Sequence, residues 1–276
     1  MPAARPVAGV TRARLDAELV RRGLARSRGQ ARDVLAAGRV RVNGALVDKA
    51  ALAIAPDDEL ALEGEADRWV GRAAYKLLAA LEAWAPVGLT VHGARCLDVG
   101  ASTGGFTQVL IAGGATQVVA LDVGHDQLAP TIREDSRVVE RSGTSIRDVT
   151  LADLGGSFDI VVADLSFISL RLVIGKLAAL VRPDGHVVVL VKPQFEVGRE
   201  RLGKGGVVRN SADRRKAVEG VTTAAVEAGL HPREVMPSPV PGETGNREYL
   251  VWMTAGPTPT TAQDLERVMA QMESTP

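Results

Sequence analysis

The chain has 276 residues and a mass of 29.0 kDa; 46% of its residues are hydrophobic and 24% are charged. This composition supports a buried core and excludes an intrinsically disordered chain. The single cysteine, Cys96, excludes a disulfide framework and a cysteine-based metal site, and the four histidines lack ligand spacing, so we expect no metal.

The formal net charge is zero, but the charge is unevenly distributed. Residues 1–50 contain 11 Lys and Arg residues against 4 Asp and Glu residues, whereas the rest of the chain contains 22 against 29. This asymmetry predicts a basic module for a polyanion, joined to a larger body. The N-terminus, which we expect to be flexible over residues 1–13, lacks the apolar stretch of a signal peptide, and no run is apolar enough to span a membrane. We therefore expect a cytoplasmic protein without membrane contacts, with a monomer as the default state.

Two short helices are predicted at the start of the basic module. Leu15 and Leu19 lie one helical turn apart and can face a core, and Gly23 ends this helix. The second helix begins at a capping box in Ser27–Gln30, and Gly38 stands where a C-terminal glycine belongs.

An alternating strand, Arg39–Val42, follows and leads into Asn43-Gly44, a strong hairpin signal. The guanidinium groups of arginine bind phosphate oxygens well, so this density of arginines predicts that the module binds structured RNA. The alternative interpretation is a basic face that is simply solvated. The motifs RLD, RSR and GRVRVNG, in this order, resemble the S4-like RNA-binding domain, which would be a small α+β domain over residues 14–63. The candidate RNA-binding residues are Arg14, Arg21, Arg22, Arg26, Arg28, Arg32, Arg39 and Arg41.

Residues 64–72 lose the apolar period and are interpreted as a linker, in which we expect Trp69 to pack between the domains rather than stack on a base. Beyond them, strands alternate with helical segments, which predicts a doubly wound, mostly parallel α/β sheet over residues 73–255. The predicted strands are Arg95–Val99, Gln117–Asp122, Arg137–Glu140, Phe158–Ala163, His186–Val191 and a late antiparallel strand, Tyr249–Met253, at the far edge. A tail with one short helix occupies residues 256–276.

A glycine-rich loop follows the first strand of this sheet and reads DVGASTGGFT. Its spacing is neither that of a dinucleotide-binding loop nor that of a Walker loop, and it is typical of S-adenosylmethionine enzymes. Asp122 ends the next strand, where a carboxylate can accept both hydroxyls of a ribose. The candidate cofactor-binding residues of the loop are Asp98, Gly100, Ala101, Ser102, Thr103, Gly104, Gly105 and Phe106.

Charged residues stand at two further strand ends. Asp164 and Lys192 each directly follow an apolar strand, where a structural residue would be apolar, so we interpret them as functional. Lys76 precedes the first strand of the sheet and Glu248 begins the last one, and a solvated charge is the alternative interpretation for both.

These residues belong to strings that resemble the FtsJ-like ribose methyltransferases and, more closely, the TlyA family of cytidine 2′-O-methyltransferases. The strings are CLDVGASTGGFT, ADLSFISL, VKPQFEVG, GVVR and GNREY. The resemblance implies a Rossmann-like class I methyltransferase fold, S-adenosylmethionine as cofactor and a catalytic tetrad of Lys76, Asp164, Lys192 and Glu248. It also implies a substrate cytidine in 16S ribosomal RNA, and in two-site members in 23S ribosomal RNA as well.

The chain departs from the family pattern at two places. It reads GRAAY before Lys76, where relatives read SRGG or SRGA. After the third strand it reads SIRD, where the family tends to carry an asparagine before the arginine. The residue that contacts adenine therefore stays open; we assign Asp148, and also Asp164, to the cofactor.

The resemblance suggests Lys192 as the base that takes the proton of a ribose 2′-hydroxyl, with Lys76 nearby disfavouring its charged form. Asp164 and Glu248 would orient the reacting groups. The alternatives are a pore-forming cytolysin, for which the sequence shows no membrane-active segment, and a non-catalytic RNA-binding protein.

Overall fold

The computed structural model describes residues 12–25, 28–64, 68–242, 244–257 and 260–273. The chain divides into two units, Met1–Arg68 and Trp69–Pro276. The sequence assigns residues 69–72 to a linker, but in the structure they belong to the larger unit. Trp69 and Val70 are buried, and Val70 N–H donates to Gln108 Oε1 at 2.7 Å. Trp69 packs into the apolar core of the larger unit.

The described part of the smaller unit contains two helices and two small antiparallel sheets. Their bounds are β1 (Ala13–Arg14), α1 (Leu15–Arg21), α2 (Arg28–Ala36), β2 (Val40–Val42), β3 (Ala45–Val47), β4 (Ala53–Ile54) and β5 (Leu60–Leu62). Strand β2 lies between β3 and β5, and β1 pairs with β4. Leu15 and Leu19 are fully buried, which confirms the predicted core face of α1.

The turn residues of this unit adopt the backbone conformations that the sequence predicts. Gly38 follows α2 with φ +66, and the N–H of Arg39 donates to Val34 O at 3.0 Å, which closes the helix end. Asn43 and Gly44 have φ values of 50 and 80, and β2 and β3 pair directly on either side of them. Positive φ at both central residues is the geometry of a two-residue hairpin whose twist suits the strands.

The larger unit is built around a seven-stranded sheet in the part of the chain that the structure describes. Its strands are β6 (Arg95–Val99), β7 (Gln117–Leu121), β8 (Val138–Arg141), β9 (Phe158–Ala163), β10 (Val181–Val191), β11 (Leu230–Pro237) and β12 (Tyr249–Ala255). The order across the sheet is β11-β12-β10-β9-β6-β7-β8. Strands β6 to β10 are parallel, and β12 is antiparallel to both of its neighbours, which confirms the predicted fold class.

Both faces of the sheet are covered by helices, as a parallel sheet requires. Side chains of β9 alternate between two cores: Val161 and Ala163 belong to one, and Ile160 and Val162 to the other. The helices are α3 (Ala73–Trp84), α4 (Gly105–Ala112), α5 (Pro130–Arg133), α6 (Ile174–Leu180), α7 (Pro193–Glu196), α8 (Ser211–Glu227) and α9 (Ala262–Ala270). Helices α3 and α4 pack on the second core, and α6, α8 and α9 on the first.

The prediction that the last strand lies at the far edge of the sheet is wrong. Strand β12 is antiparallel, as predicted, but β11 pairs with its outer side and forms the edge. The sequence conceals β11 because Pro232 and Pro237 interrupt its pattern, and proline is confined to edge strands since it cannot donate to the ladder. Strand β10 also begins earlier than predicted, at Val181, with a register shift before His186.

The C-terminal helix α9 packs against this edge strand. Its side chains Val268 and Met269 are buried in the core, and Gln271 Oε1, just after the helix, accepts the N–H of Val235 at 3.0 Å. The tail therefore supplies a hydrogen-bond acceptor for one backbone N–H of the edge strand, where backbone groups otherwise lack a partner strand.

Candidate active site

The predicted functional residues of the larger unit gather at the carboxyl ends of neighbouring strands. Asp98 lies in β6, Asp122 directly follows β7, Asp164 directly follows β9, and Lys192 directly follows β10. Ligands of open α/β sheets bind at this edge, where the strand order reverses. The order of the strands reverses at β6, because β7 and β8 lie on one side of it and β9 and β10 on the other. The glycine loop after β6 therefore lies at the reversal point.

The glycine loop packs directly against the segment that carries Asp164. Gly100 has φ +84, and a Cβ atom on it would lie 2.5 Å from the carbonyl oxygen of Asp164. The N–H of Gly100 donates to Leu121 O, and the N–H of Asp164 donates to Val99 O at 3.1 Å. The loop and the segment that carries Asp164 are therefore held in one backbone arrangement, which only glycine permits at position 100.

We expect Gly100→Ala to destabilise the larger unit and to weaken cofactor binding at least tenfold, because the new methyl group must displace the Asp164 backbone. Gly93→Ala is the matched control, since Gly93 has a similar φ of +77 and a Cβ there would meet nothing within 4 Å. Thermal unfolding and calorimetric titration with the cofactor would measure both effects. Equal behaviour of the two variants would contradict the proposed role of Gly100.

Asp122 organises the turn beyond the next strand. Its Oδ2 accepts the N–H of Ser102 at 2.8 Å, and its Oδ1 accepts the N–H of Gly124 at 2.7 Å. Each carboxylate oxygen keeps acceptor capacity after one such bond. An open pocket surrounds this carboxylate, and its lining residues are Ala101, Ser102, Ala120, Asp122, Gly124, Gln127, Leu128, Glu140 and Ser142. The sequence indicated Ala101, Ser102 and Asp122, but not Glu140 or Ser142.

Asp98 is a fully buried carboxyl group below the loop. Its Oδ2 accepts the hydroxyl of Thr107 at 2.6 Å, whereas its Oδ1 is buried without a hydrogen-bond partner among the described residues. Burial raises the pKa of Asp98 to about 7, although the hydrogen bond from Thr107 opposes this. A buried acceptor without a partner is typical of a site that receives a donor from a ligand.

Asp98→Asn is expected to change the pH dependence of stability in the absence of cofactor. Because the folded-state pKa is raised, from 3.8 to about 7, the stabilising contribution of the carboxyl is complete below its unfolded-state pKa and is lost as the pH rises through 7. The stability advantage of the variant over the wild type should be about 2 to 3 kcal/mol larger at pH 8 than at pH 5. Urea unfolding of both proteins at the two pH values measures it, and an unchanged difference would refute the assignment.

Lys76 and Glu248 form a buried ion pair. Lys76 projects from α3, Glu248 stands just before β12, and Lys76 Nζ donates to Glu248 Oε2 at 2.6 Å. Both side chains are almost fully buried, at 6% and 2% exposure. The structure thus joins two residues that are 172 positions apart, and it excludes the solvated-charge interpretation for both.

Lys192 and Asp164 form a second ion pair at the adjacent strand ends. Lys192 Nζ lies 2.7 Å from Asp164 Oδ1 and donates to Ser166 Oγ at 2.8 Å. Asp164 Oδ1 accepts no hydrogen bond from any other described residue, and a carboxylate oxygen has a second lone pair, so it can accept a further donor. The charged group in contact with Lys192 is therefore Asp164, and not Lys76 as the sequence suggested, because Lys76 is paired with Glu248.

Three side chains near these pairs were missed by the sequence reasoning. Ser166 contacts Lys192, Phe167 is 91% exposed with φ 66, and buried Asn246 accepts the N–H of Val208 at 2.9 Å. Ser166 and Phe167 lie within a string that carried the resemblance, but only the folded backbone shows that one meets the lysine and the other faces solvent.

The remaining candidate cofactor residues have different positions. The ring of Phe106 is buried in the core, and Gly105 allows α3 to approach because its Cβ would lie 3.0 Å from the N of Ala74. Thr103 accepts the N–H of Ala129 through its carbonyl. Asp148 is exposed in a turn, outside the residues that line the pocket around Asp122.

Many arginines of the smaller unit have acidic partners. Asp16, which is buried, accepts from Arg14 and Arg28, and Arg14 above all holds the pKa of Asp16 at about 2. Arg14 and Arg28 nevertheless keep more than half of their side chains exposed.

Buried Glu18 likewise forms ion pairs with two other arginines, Arg21 and Arg22. Arg22 is only 21% exposed and also donates to the carbonyl oxygens of Ala55 and Asp58, whereas Arg21 is 67% exposed.

Further along this unit, Arg32 and Arg39 donate to backbone carbonyls, and Arg41 pairs with Glu63 at 2.6 Å. Arg26 and the capping residue Ser27 lie outside the described residues.

No helix among the described residues is long and apolar enough to cross a membrane.

Known proteins resemble both units. The FtsJ-like methyltransferase family matches residues 69–255, and the S4 domain family matches residues 13–60. The 16S/23S rRNA (cytidine-2′-O)-methyltransferase TlyA of Mycobacterium tuberculosis is 50% identical over 243 residues, which are 88% of this chain and 90% of that protein. Hemolysin A of Brachyspira hyodysenteriae is 36% identical over 242 residues, covering 86% and 98%. A solved structure of a hemolysin-labelled protein from Streptococcus thermophilus matches with a TM-score of 0.74 and 38% identity, covering 95% and 96%. The chain therefore belongs to the FtsJ-like methyltransferase family, with an S4 domain before its methyltransferase domain.

Proposed function

We propose that this protein transfers a methyl group from S-adenosylmethionine to the ribose 2′-hydroxyl of a cytidine in ribosomal RNA, in 16S RNA and also in 23S RNA. The observation that carries the proposal is the pairing of Lys192 with Asp164, and of Lys76 with Glu248, at the strand ends beside the glycine loop. The reaction and the substrate are those named for the M. tuberculosis relative, which is similar over most of the chain.

The residues around the loop fit S-adenosylmethionine. Asp122 has acceptor capacity on both oxygens for the two hydroxyls of a ribose, and the absence of a side chain at Gly100 lets a ligand approach the backbone. Asp98 Oδ1 is a buried acceptor in need of a donor. When bound, the cofactor supplies an electrophilic methyl group on a sulfonium centre.

The ion pairs provide proton removal and orientation. A ribose hydroxyl is a poor nucleophile, so a base must take its proton as the oxygen attacks. Lys192 is the candidate base for this proton, and Asp164 Oδ1 accepts a hydrogen bond that orients the hydroxyl and the lysine. The buried pair of Lys76 and Glu248 holds one wall of the site in a fixed position, and alignment supplies much of the rate.

Two features support an RNA substrate. The smaller unit is an S4 domain with exposed arginines, and an arginine fork suits phosphate oxygens. Phe167 presents a 91% exposed ring one residue after Ser166, which contacts Lys192. An exposed aromatic ring beside a catalytic centre is a stacking surface for an unstacked base.

The test is methyl transfer from tritiated S-adenosylmethionine to ribosomal subunits that lack these methylations, with small and large subunits assayed separately. We expect label in both RNAs, recovered after nuclease digestion as 2′-O-methylcytidine. Label on a base instead of a ribose would overturn the assigned chemistry. Binding of the cofactor without label in either subunit would overturn the assigned substrate.

A further inference from the structure

Two segments that carry the proposed catalytic residues lie side by side, and one of their contacts has no part in the chemistry described so far. The segments are residues 164–171, after β9, and residues 192–196, which include α7. Besides the ion pairs of Lys192 with Asp164 and of Glu196 with Arg171, the contacts in order along both segments include Lys192 to Ser166, Phe195 to Phe167, Glu196 to Ser169 and Glu196 to Leu170.

Phe167 stands in the middle of this arrangement in a conformation that needs support. Its φ of 66 lies in the left-handed region, which a bulky aromatic residue rarely adopts. The residue is 91% exposed, and its ring meets that of Phe195 at a centroid distance of 5.3 Å. Strained backbone persists only where the surroundings over-determine it. Here the hydrogen bond of Ser166 precedes the strained residue, and those of Ser169 and Leu170 follow it.

The group that accepts the two later bonds is the carboxylate of Glu196. It accepts the hydroxyl of Ser169 at 2.6 Å and the N–H of Leu170 at 2.7 Å, and its side chain is 2% exposed. Burial raises the pKa of Glu196, against these hydrogen bonds and the guanidinium of Arg171. A buried carboxylate is costly where an apolar side chain of similar size would fill the space, so Glu196 is weak evidence for stability; what its two hydrogen bonds do is fix the positions of Ser169 and Leu170.

We propose that Glu196 is a positioning residue for RNA methyl transfer: it holds Ser169 and Leu170 so that the turn at Phe167 keeps its strained form and presents its ring to the target nucleotide. The same turn keeps Ser166 against Lys192. The inference rests on the proposed function, since it names how the site receives its RNA substrate. It assigns to Glu196 no contact with the cofactor or with the reacting atoms.

Two substitutions of similar size separate hydrogen bonding from charge. Glu196→Gln can keep both contacts, because its amide oxygen can accept from Leu170 and its amide N–H can donate to Ser169, whose hydroxyl also accepts. Glu196→Met can keep neither. We expect Glu196→Met to lower kcat/KM for ribosomal RNA by about a hundredfold, as a misplacement of about 1 Å can. Glu196→Gln should stay within about threefold of the wild type, a difference of less than 1 kcal/mol in activation free energy by the usual conversion.

Cofactor affinity distinguishes a general structural defect from a local loss of positioning. A general defect in the larger unit would weaken cofactor binding, whereas displacement of the turn at Phe167 would not. The glycine loop and Asp122 do not contact Glu196 through any described hydrogen bond, so the dissociation constant for S-adenosylmethionine should be unchanged within about twofold in both variants. Ser169→Ala removes one of the two donors and also the hydroxyl that accepts the N–H of Arg171, and we expect a loss of about tenfold in the same assay, so wild-type kcat/KM in this variant would overturn the proposal. It serves as the second variant if Glu196→Met fails to fold.

A double-mutant cycle with Phe167→Ala tests the route of the effect. If Glu196 acts through Phe167, then Glu196→Met should cost far less in the Phe167→Ala background than in the wild type. Full additivity of the two losses would overturn the proposal, and so would a Glu196→Met variant with wild-type kcat/KM. Equal losses in the Gln and Met variants would show that the charge is the essential feature, which also overturns it. If the wild-type protein labels neither RNA, the proposed function is wrong. If the wild type is active but the Glu196 variants do not behave as expected, only the proposal for Glu196 is wrong.

Discussion

Replacing Lys192 by alanine is expected to lower methyl transfer to ribosomal RNA by about a thousandfold while the protein stays folded and binds S-adenosylmethionine. General base catalysis contributes about 10² to 10⁴ in rate, and no other described amine contacts Asp164. The fold should survive because Lys192 and Asp164 are more exposed, at 11% and 14%, than Lys76 and Glu248, so that loss of the lysine leaves a less deeply buried carboxylate. Single-turnover labelling with saturating cofactor measures the chemical step.

Two further variants sharpen this test. Lys192→Arg keeps the positive charge and the ion pair but cannot lose its proton, so it should be about as inactive as the alanine variant. Lys204→Ala, which removes an exposed lysine from a glycine-rich turn, should retain wild-type activity. Substantial transfer by Lys192→Arg would show that the charge of residue 192, and not its basicity, serves the reaction.

Replacing Lys76 by methionine is expected to destabilise the larger unit by about 3–5 kcal/mol, because it leaves the carboxylate of Glu248 buried without its partner. The matched control is Arg215→Met, which breaks an exposed ion pair with Glu219 at 2.8 Å and should cost less than about 1 kcal/mol. Chemical denaturation of the two variants and the wild type gives both values.

Removing the Lys76–Glu248 pair entirely separates its stabilising role from the catalytic role that we propose for it. The double variant Lys76→Met/Glu248→Leu should recover most of the lost stability, since replacing a buried ion pair by apolar side chains of similar size is often neutral. Its methyl transfer should nevertheless stay at least about a hundredfold below the wild type, because the charges that shape the site are gone. An active and stable double variant would show that the pair is structural only.

Most of the fold could be predicted from the sequence, because its signals are local. Asn43-Gly44 predicts its hairpin through the positive φ angles that this pair tolerates, and the apolar strands predict a sheet buried on both faces. The edge strand β11 could not be predicted, because its two prolines and its charged residues conceal the pattern, and the position of β12 was wrong for the same reason.

The candidate site likewise has features that could be predicted from the sequence and features that could not. Its residue types followed from motifs and from charges placed at strand ends, since such positions predict one edge of a parallel sheet. The pairing did not follow: whether Lys192 faces Lys76 or Asp164 depends on how α3, β9 and β10 pack.

By itself, then, the sequence determined the two domains' fold classes, the glycine loop and the strand-end charges Asp164 and Lys192, because propensity, periodicity and strand-end position act over a few neighbouring residues. Lys76 and Glu248 came into the candidate site through the family resemblance. Only the tertiary structure decided which lysine meets which carboxylate, that Phe167 faces solvent in a strained turn, and that Glu196 supports that turn. These features depend on contacts between segments far apart in the chain, and such contacts are set by packing rather than by any local pattern.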